Sequence, residues 1–383
     1  MQATVIKGFT DIFGATPRVV TRAPGRLEIL GNHTDYNEGV VLSAAVDRVT
    51  CVAMSPCTGT SCRVIDAVRN EERLFDLTQL DRPEAGDWAN YIKGLIVQFQ
   101  ERDISVPAFE AVFGSSIPIA AGMSSSAALE MSMAIALAEL ACARLPWQDI
   151  ARIGQACENA YVGANTGLLD QFSSLRGKAD HLVFSDFRTL DVTTVPIPEE
   201  AALVVANSMV KHTLTNEYNE RRQACEQAVE ILAGANPDIR ALRDVTPEDL
   251  EAVEDRLPPT VFKRARHVVG ENARVLAGVN ALADGNLESF GRLMFESHES
   301  SRIHFQNSCD ELDHLVDIAR GLPGALGARL SGGGFGGISV HLVRQPYAQD
   351  YTDRLQTEYA TKTGLKADVM ICRAADGAGK LSP

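Results

Sequence analysis

The sequence predicts a protein of mixed helix and strand organised in about two domains. Three observations carry this reading. The chain has 383 residues, more than one ordinary core supports. Its first half alternates β-branched runs with glycine-rich turns, whereas much of the second half is charged and helix-patterned, and the composition shifts near residue 200. The expected domains are therefore residues 1–200 and 201–383. Hydrophobic residues form 45% of the chain and charged residues 22%, a balance that fits a globular protein and not a disordered one.

Taken in order, Val40 to Met54 and Cys62 to Ala67 read as strands. Ala127 to Leu145, rich in Ala, Leu and Met with no Pro or Gly, is the strongest helix. Ile150, Ile153, Cys157, Ala160 and Tyr161 recur at helical spacing until Gly163 stops them, and another helix opens near Gly167. Helical patterns follow over 219–233, 261–283, 287–298 and 310–320. The strand Ala325 to Leu330 leads through a glycine-rich loop into the strand Ile338 to Val343, and Ala367 to Cys372 is expected to close the chain as a last strand.

A formal net charge of -14, with no Lys/Arg block to reverse it locally, argues against nucleic acid and anionic membranes as partners. A nucleotide needs only a few placed donors and a divalent cation, so it stays open. The eight cysteines are scattered without a C-x-x-C pair, which predicts free thiols and a cytoplasmic protein. Met1 to Gly14 does not read as a signal peptide. The longest apolar stretch, Met131 to Leu145, is too short for a hydrocarbon layer of about 30 Å. Oligomeric state is left open, and a monomer is compatible with the sequence.

Four segments could carry chemistry. The loop Pro118 to Ala128 runs into the strongest helix, and its Gly122, Met123, Ser124, Ser125, Ser126 and Ala127 would meet a phosphate with unpaired N–H groups and the positive end of the helix dipole. A plain serine cap behind a glycine turn is the simpler alternative. The loop Gly332 to Gly337 matches G-x-G-x-x-G but precedes a strand, so it is no dinucleotide fingerprint; close backbone approach to a ligand or a tight hairpin would explain it. Arg26, Asn32, His33, Asp35 and Asn37 fall in one turn-like span, suited to vicinal hydroxyls or equally to Asx turns. Glu158 and Asp170 flank Gly163 and Gly167, where one carboxylate could hold Mg2+ and the other accept a proton from a hydroxyl. The histidines lack zinc-ligand spacing.

In this order the segments resemble the galactokinases, a branch of the GHMP small-molecule kinases that also include homoserine, mevalonate and phosphomevalonate kinases. Phe9 to Gly39 is similar to their sugar-binding signature, Pro118 to Ala128 to their phosphate motif, and Gly327 to Gly337 to their glycine-rich third motif. Trp88 to Gly94, Glu158 to Gln171, His212 to Arg222 and His298 to Asp313 extend the likeness over nearly the whole chain. The resemblance implies an α+β fold, with an N-terminal domain like a ribosomal-protein S5 domain, a ferredoxin-like C-terminal domain and the active site in the cleft between them. It implies transfer of phosphate from ATP to the anomeric hydroxyl of a free sugar, D-galactose first, with Mg2+ as cofactor.

Residue by residue, it implies Asp170 as general base with Arg26 beside it, and Ser126 and Glu158 at the metal. Gly122, Met123, Ser124, Ser125, Ser126 and Ala127 would cradle phosphate, with Trp88 and Tyr91 near adenine. Arg26, Asn32, His33, Asp35, Gly167, Asp170 and Tyr218 would face the sugar. The chain departs from the family where Asn32 replaces Glu, Glu28 replaces Asn, Ala120 replaces Gly and Lys211 replaces Arg. Asn32 admits an alternative, a related sugar-1-kinase acting on a uronic acid, arabinose or another hexose. A kinase-like sugar sensor is a further alternative, opposed by the intact Ser124–Ala128 run, Glu158 and Asp170.

Overall fold

The computed structural model describes residues 1–382 except 81, 119–121, 165 and 212–214, and only the backbone of 211 and 215–218. Its first elements are α1 (Gln2–Phe13), β1 (Val19–Leu30), β2 (Val40–Pro56), β3 (Ser61–Asp66), β4 (Glu71–Asp76), α2 (Asn90–Gln100) and β5 (Phe109–Ser115). Next come α3 (Ser125–Leu140), α4 (Trp147–Ala156), α5 (Leu169–Arg176), β6 (His181–Asp186), β7 (Asp191–Pro196) and β8 (Ala201–Lys211). The helices α6 (Thr215–Ala235), α7 (Pro247–Glu251), α8 (Pro259–Ala283), α9 (Leu287–Ser300) and α10 (Asp310–Gly321) follow. The chain ends with β9 (Ala325–Ser331), β10 (Gly336–Arg344), α11 (Ala348–Thr363), β11 (Asp368–Cys372) and β12 (Gly379–Leu381).

These elements form two compact units. One comprises Met1–Arg26, Ala45–Gly177 and Ala375–Pro383, the other Leu27–Ala44 and Lys178–Ala374. The expected cut at residue 200 therefore needs correction. The composition shift marks where helices become dense, but Leu27–Ala44 packs with residues far downstream and the last strand returns to the first unit, neither of which a local average detects.

In the first unit β2 pairs antiparallel with β5, Val52 opposite Phe113, and β5 pairs parallel with β3, Val64 beside Ala111. Alternate residues of a strand face opposite sides. Val52 and Met54 accordingly join Ile92, Leu95, Phe99, Met133 and Leu137 of α2 and α3 in one core. Cys51 and Ala53 join Val5 and Phe9 of α1 in another. Because α3 lies within the first core, it is apolar on every side, as a buried helix must be. It ends at Leu140 and not at the expected Leu145, with Cys142 in the left-handed region at φ 53° shortly before Pro146.

In the second unit an antiparallel sheet of order β11-β8-β10-β9 carries α10 and α11, through Leu315, Val316, Tyr351, Leu355 and Tyr359. Helix α9 lies against β9 so closely that a Cβ on Gly291 would meet the Leu326 carbonyl at 2.1 Å. Helices α6 and α8 share a separate core around Phe262 and Phe305. Helices α1, α2, α7 and α11 and strands β1, β4, β5, β6, β7, β8 and β12 were not foreseen; α7 and β12, for instance, are only five and three residues long.

Candidate active site

The chemistry of the first unit gathers at the start of α3 and α5. Asp170 lies in the first turn of α5, and Arg26 ends the β1 segment that belongs to this unit. Arg26 Nε donates to Asp170 Oδ1 at 2.7 Å, and Arg26 Nη1 donates to the Gly122 carbonyl at 2.7 Å. The Ser124 hydroxyl donates to the other Asp170 oxygen. One guanidinium thus joins the carboxylate to the serine loop. Arg26 is 7% exposed, and the Asp170 side chain, at 23%, keeps an open side. Ser124 itself sits in the left-handed region at φ 53°, a strained conformation that persists only where its surroundings fix it.

Two residues on, the Ser126 hydroxyl donates to Glu158 at 3.2 Å, while Thr166 Oγ1 and Gln171 Nε2 donate to the second Glu158 oxygen at 2.5 and 3.2 Å. Burial first, and then the charge of Asp170, push the Glu158 carboxyl up, with these donors opposing. Glu158 is 4% exposed, and among the described residues no cation pairs with it. A buried carboxylate and a hydroxyl, both hard oxygen donors, fit Mg2+ bound jointly with phosphate oxygens and water. A pocket of about 370 Å³ opens nearby, lined by Thr50, Asp66, Trp88, Tyr91, Phe113, Ser125, Ser126 and Leu129. Trp88 is oriented there by its Nε1–H donating to Glu71 at 2.9 Å. Met123 and Ala127 are buried and support the loop from behind, while Gly167 is half-buried just before α5.

The polar span Gly31–Gly39 belongs to the second unit, and here the expectations need revision. Asn32 is 1% exposed. Its Nδ2 donates to Glu28 Oε1 and to the Gly332 carbonyl, each at 2.9 Å, and its Oδ1 accepts from Asn307 Nδ2 at 2.9 Å. The amide is spent on protein partners, so Asn32 presents no free group to a ligand. His33 is likewise engaged. Its Nε2–H donates to the Gly333 carbonyl at 3.2 Å and its Nδ1 accepts from Tyr36 at 2.9 Å. Burial pushes this imidazole down to about 3, against the pull of the Gly333 carbonyl, so it is neutral. Asp35 is half-buried, whereas Glu38, the other carboxylate of the loop, is exposed and pairs with Arg188 Nε at 2.8 Å. Asn37 donates to the His33 carbonyl at 2.9 Å, the turn-stabilising role that was the plainer expectation. The Tyr218 side chain and Ala120 lie outside the described residues.

Glu28 and Asn32 are one departure, not two. The carboxylate and the amide have exchanged places at positions four apart and hydrogen-bond each other. Glu28 Oε1 also pairs with Arg329 Nη1 at 3.0 Å, where both side chains are at most 3% exposed. The glycine loop is both a hairpin and a docking surface. Its carbonyls receive Asn32 and His33, and a Cβ on Gly334 would meet the Asn307 carbonyl at 2.1 Å.

In each unit, residues the sequence did not single out take part. Glu130, one turn past Ser126 on α3, is 0% exposed; burial and then Glu158 push its carboxyl well up. An acid inside an otherwise apolar helix was the available signal. Glu271 sits in an ordinary amphipathic helix pattern, while Asn307, in the coil before α10, and Arg329, in β9, lie in family-like segments where nothing marks them out from their neighbours.

Residues 7–56 match the galactokinase galactose-binding signature, 90–178 the N-terminal domain of the GHMP kinases and 279–361 their C-terminal domain. The chain is 41% identical to a galactokinase of Roseiflexus sp. over 97% of this chain and 95% of that protein. It is 40% identical to one of Chloroflexus aurantiacus over 98% and 96%. Among solved structures, a Lactococcus lactis galactokinase complexed with galactose matches at a TM-score of 0.94 and 31% identity, with 98% of each chain covered. The chain therefore belongs to the galactokinase family of the GHMP kinases.

Proposed function

We propose that the protein transfers the γ-phosphoryl group of ATP to the anomeric hydroxyl of D-galactose, giving α-D-galactose 1-phosphate and ADP. The observation that carries this reading is the Asp170 carboxylate, fixed by Arg26 and Ser124 at the mouth of the serine loop yet open on one side. In it Asp170 accepts the hydroxyl proton as the O–P bond forms, and the bond to the β-phosphate oxygen breaks to release ADP. Arg26, already anchored, offsets charge on the phosphoryl group without reorganising. The N–H groups at the start of α3, with Ser124 and Ser125, hold phosphate oxygens. Trp88 and Tyr91 supply an apolar bed for the base.

Ser126 and Glu158 would hold Mg2+, which would supply positive charge to offset that of the phosphate groups. Asp35 is the carboxylate of the polar loop assigned to sugar hydroxyls. With eight cysteines free and, among the described residues, no helix long and apolar enough to cross a membrane, a cytoplasmic site of action is part of the proposal.

The uronic-acid alternative rests on Asn32 removing a carboxylate. Glu28 restores one at 2.9 Å, so the charge of the pair is unchanged and galactose is favoured. An ADP-release assay across free sugars with Mg-ATP tests this, galactose ranking first by kcat/KM. Asp170→Asn should lower kcat roughly 10²- to 10⁴-fold, the usual contribution of a placed base. Turnover of galacturonate ahead of galactose would overturn the substrate, and an unimpaired Asp170→Asn enzyme would overturn the base.

A further inference from the structure

The loop Gly31–Gly39 leaves β1 and returns into β2, and one helix grips both of its ends. The N–H groups of Gly31 and Asn32 each donate to Glu271 Oε2 at 2.9 Å. That oxygen also accepts from Ser297 Oγ at 3.0 Å, and Oε1 accepts from Arg274 Nε at 2.6 Å. At the other end the Val40 N–H donates to Asn272 Oδ1 at 3.0 Å. Glu271 and Asn272 are consecutive on α8. One turn earlier His267 Nε2 meets the Asn32 carbonyl at 3.2 Å, and between the two ends Thr34 Oγ1 donates to the carbonyls of Gly31 and Val40 at 2.8 and 2.7 Å. The fit is close: a Cβ on Gly39 would meet Asn272 Oδ1 at 2.4 Å.

The grip has a reason. His33 and Glu38 adopt left-handed conformations at φ 60° and 56°, which non-glycine residues hold only when neighbours over-determine them. Successive N–H groups form a concavity suited to an anion. Glu271 is 0% exposed, and burial pushes its carboxyl up, yet Arg274, with His267, Arg329 and the Asn32 N–H, outweighs that and holds it well below the usual range.

We propose that Glu271 and Asn272 are positioning residues for sugar binding: neither touches the sugar, and together they fix both ends of the loop that presents Asp35. The sugar role rests on the kinase reading above. The loop-fixing role does not.

Two measurements on the full chain test it. The first needs no substrate: amide hydrogen exchange of the peptide spanning Gly31–Val40, wild type against Asn272→Ala, Ser297→Ala and Glu271→Gln. Leaving the buried Val40 N–H unpaired should speed exchange there roughly tenfold for Asn272→Ala, and Glu271→Gln should do more because a charged acceptor is lost. Ser297→Ala, which leaves both backbone donors paired, should have the smallest effect. Unchanged exchange in Asn272→Ala overturns the proposal even if Glu271→Gln fails to fold.

The second is the KM for galactose and for ATP. Galactose KM should rise about tenfold in Asn272→Ala while ATP KM and kcat stay within about twofold. A parallel rise in both KM values, or a fall in kcat alone, would mean a merely structural role. A wild type inert toward galactose, with the exchange result intact, would refute the kinase reading and leave the clamp standing.

Discussion

Introducing the family's glutamate at position 32 alone should damage this protein. Asn32 Nδ2 lies 2.9 Å from Glu28 Oε1, and that oxygen pairs with Arg329 Nη1 at 3.0 Å. Asn32, Glu28 and Arg329 are 1%, 2% and 0% exposed. In Asn32→Glu an attraction becomes a contact between two carboxylates, and the donor to the Gly332 carbonyl is lost. Two charges about 4 Å apart at an effective dielectric of about 20 repel by about 4 kcal/mol. Arg329, whose Nε and Nη2 lack partners among the described residues, can offset part of this, so a net loss of about 2–4 kcal/mol is expected.

Glu28→Asn alone leaves Arg329 buried without its counter-charge and should cost a similar amount. The double variant re-forms an amide–carboxylate pair with the roles exchanged. It should recover about 2 kcal/mol or more relative to the sum of the singles. Urea unfolding of the four proteins measures the coupling, and kcat/KM for galactose and galacturonate follows the same cycle. Additive losses, or a single Asn32→Glu variant as stable as wild type with sharpened galactose preference, would refute the exchange argument and return Asn32 to the sugar pocket.

Glu158→Gln should raise the Mg2+ concentration for half-maximal activity roughly 10- to 100-fold. It should also unfold at a higher temperature than wild type, because it removes a buried carboxylate strained by burial and by Asp170; equal Mg2+ dependence would remove Glu158 from the metal site. His341, 0% exposed between Ser339 and Tyr351, gives a pH prediction. Burial pushes its pKa to about 3 from the 6.5 of an exposed imidazole, so between those values the unfolded chain binds a proton that the folded chain refuses. Its contribution therefore weakens stability as the pH falls from neutrality. Wild type should lose about 2 kcal/mol more than His341→Gln between pH 7 and pH 5, read from urea unfolding at both; parallel losses would contradict a neutral buried His341.

What the sequence determined by itself was local. A serine run ahead of an apolar stretch, a carboxylate in the first turn after Gly167, and glycines between two β-branched runs each specify a short element and its chemistry. Their order along the chain then identified the family. Composition located α3, which is buried all round, and periodicity located α8, α9 and α10, each of which buries one apolar face.

What only the tertiary structure decided was which side chains are spent. Arg26 meets Asp170 across 144 positions, and Asn32 meets Gly332 across 300 and Asn307 across 275. Such pairings are set by sheet register and helix packing, not by the neighbours in sequence. An amide in a polar loop offers the same donors and acceptor whether they face a ligand or the protein. Only the partners brought in by the fold tell these cases apart, and they turn Asn32 from a presumed sugar contact into half of a buried exchange with Glu28.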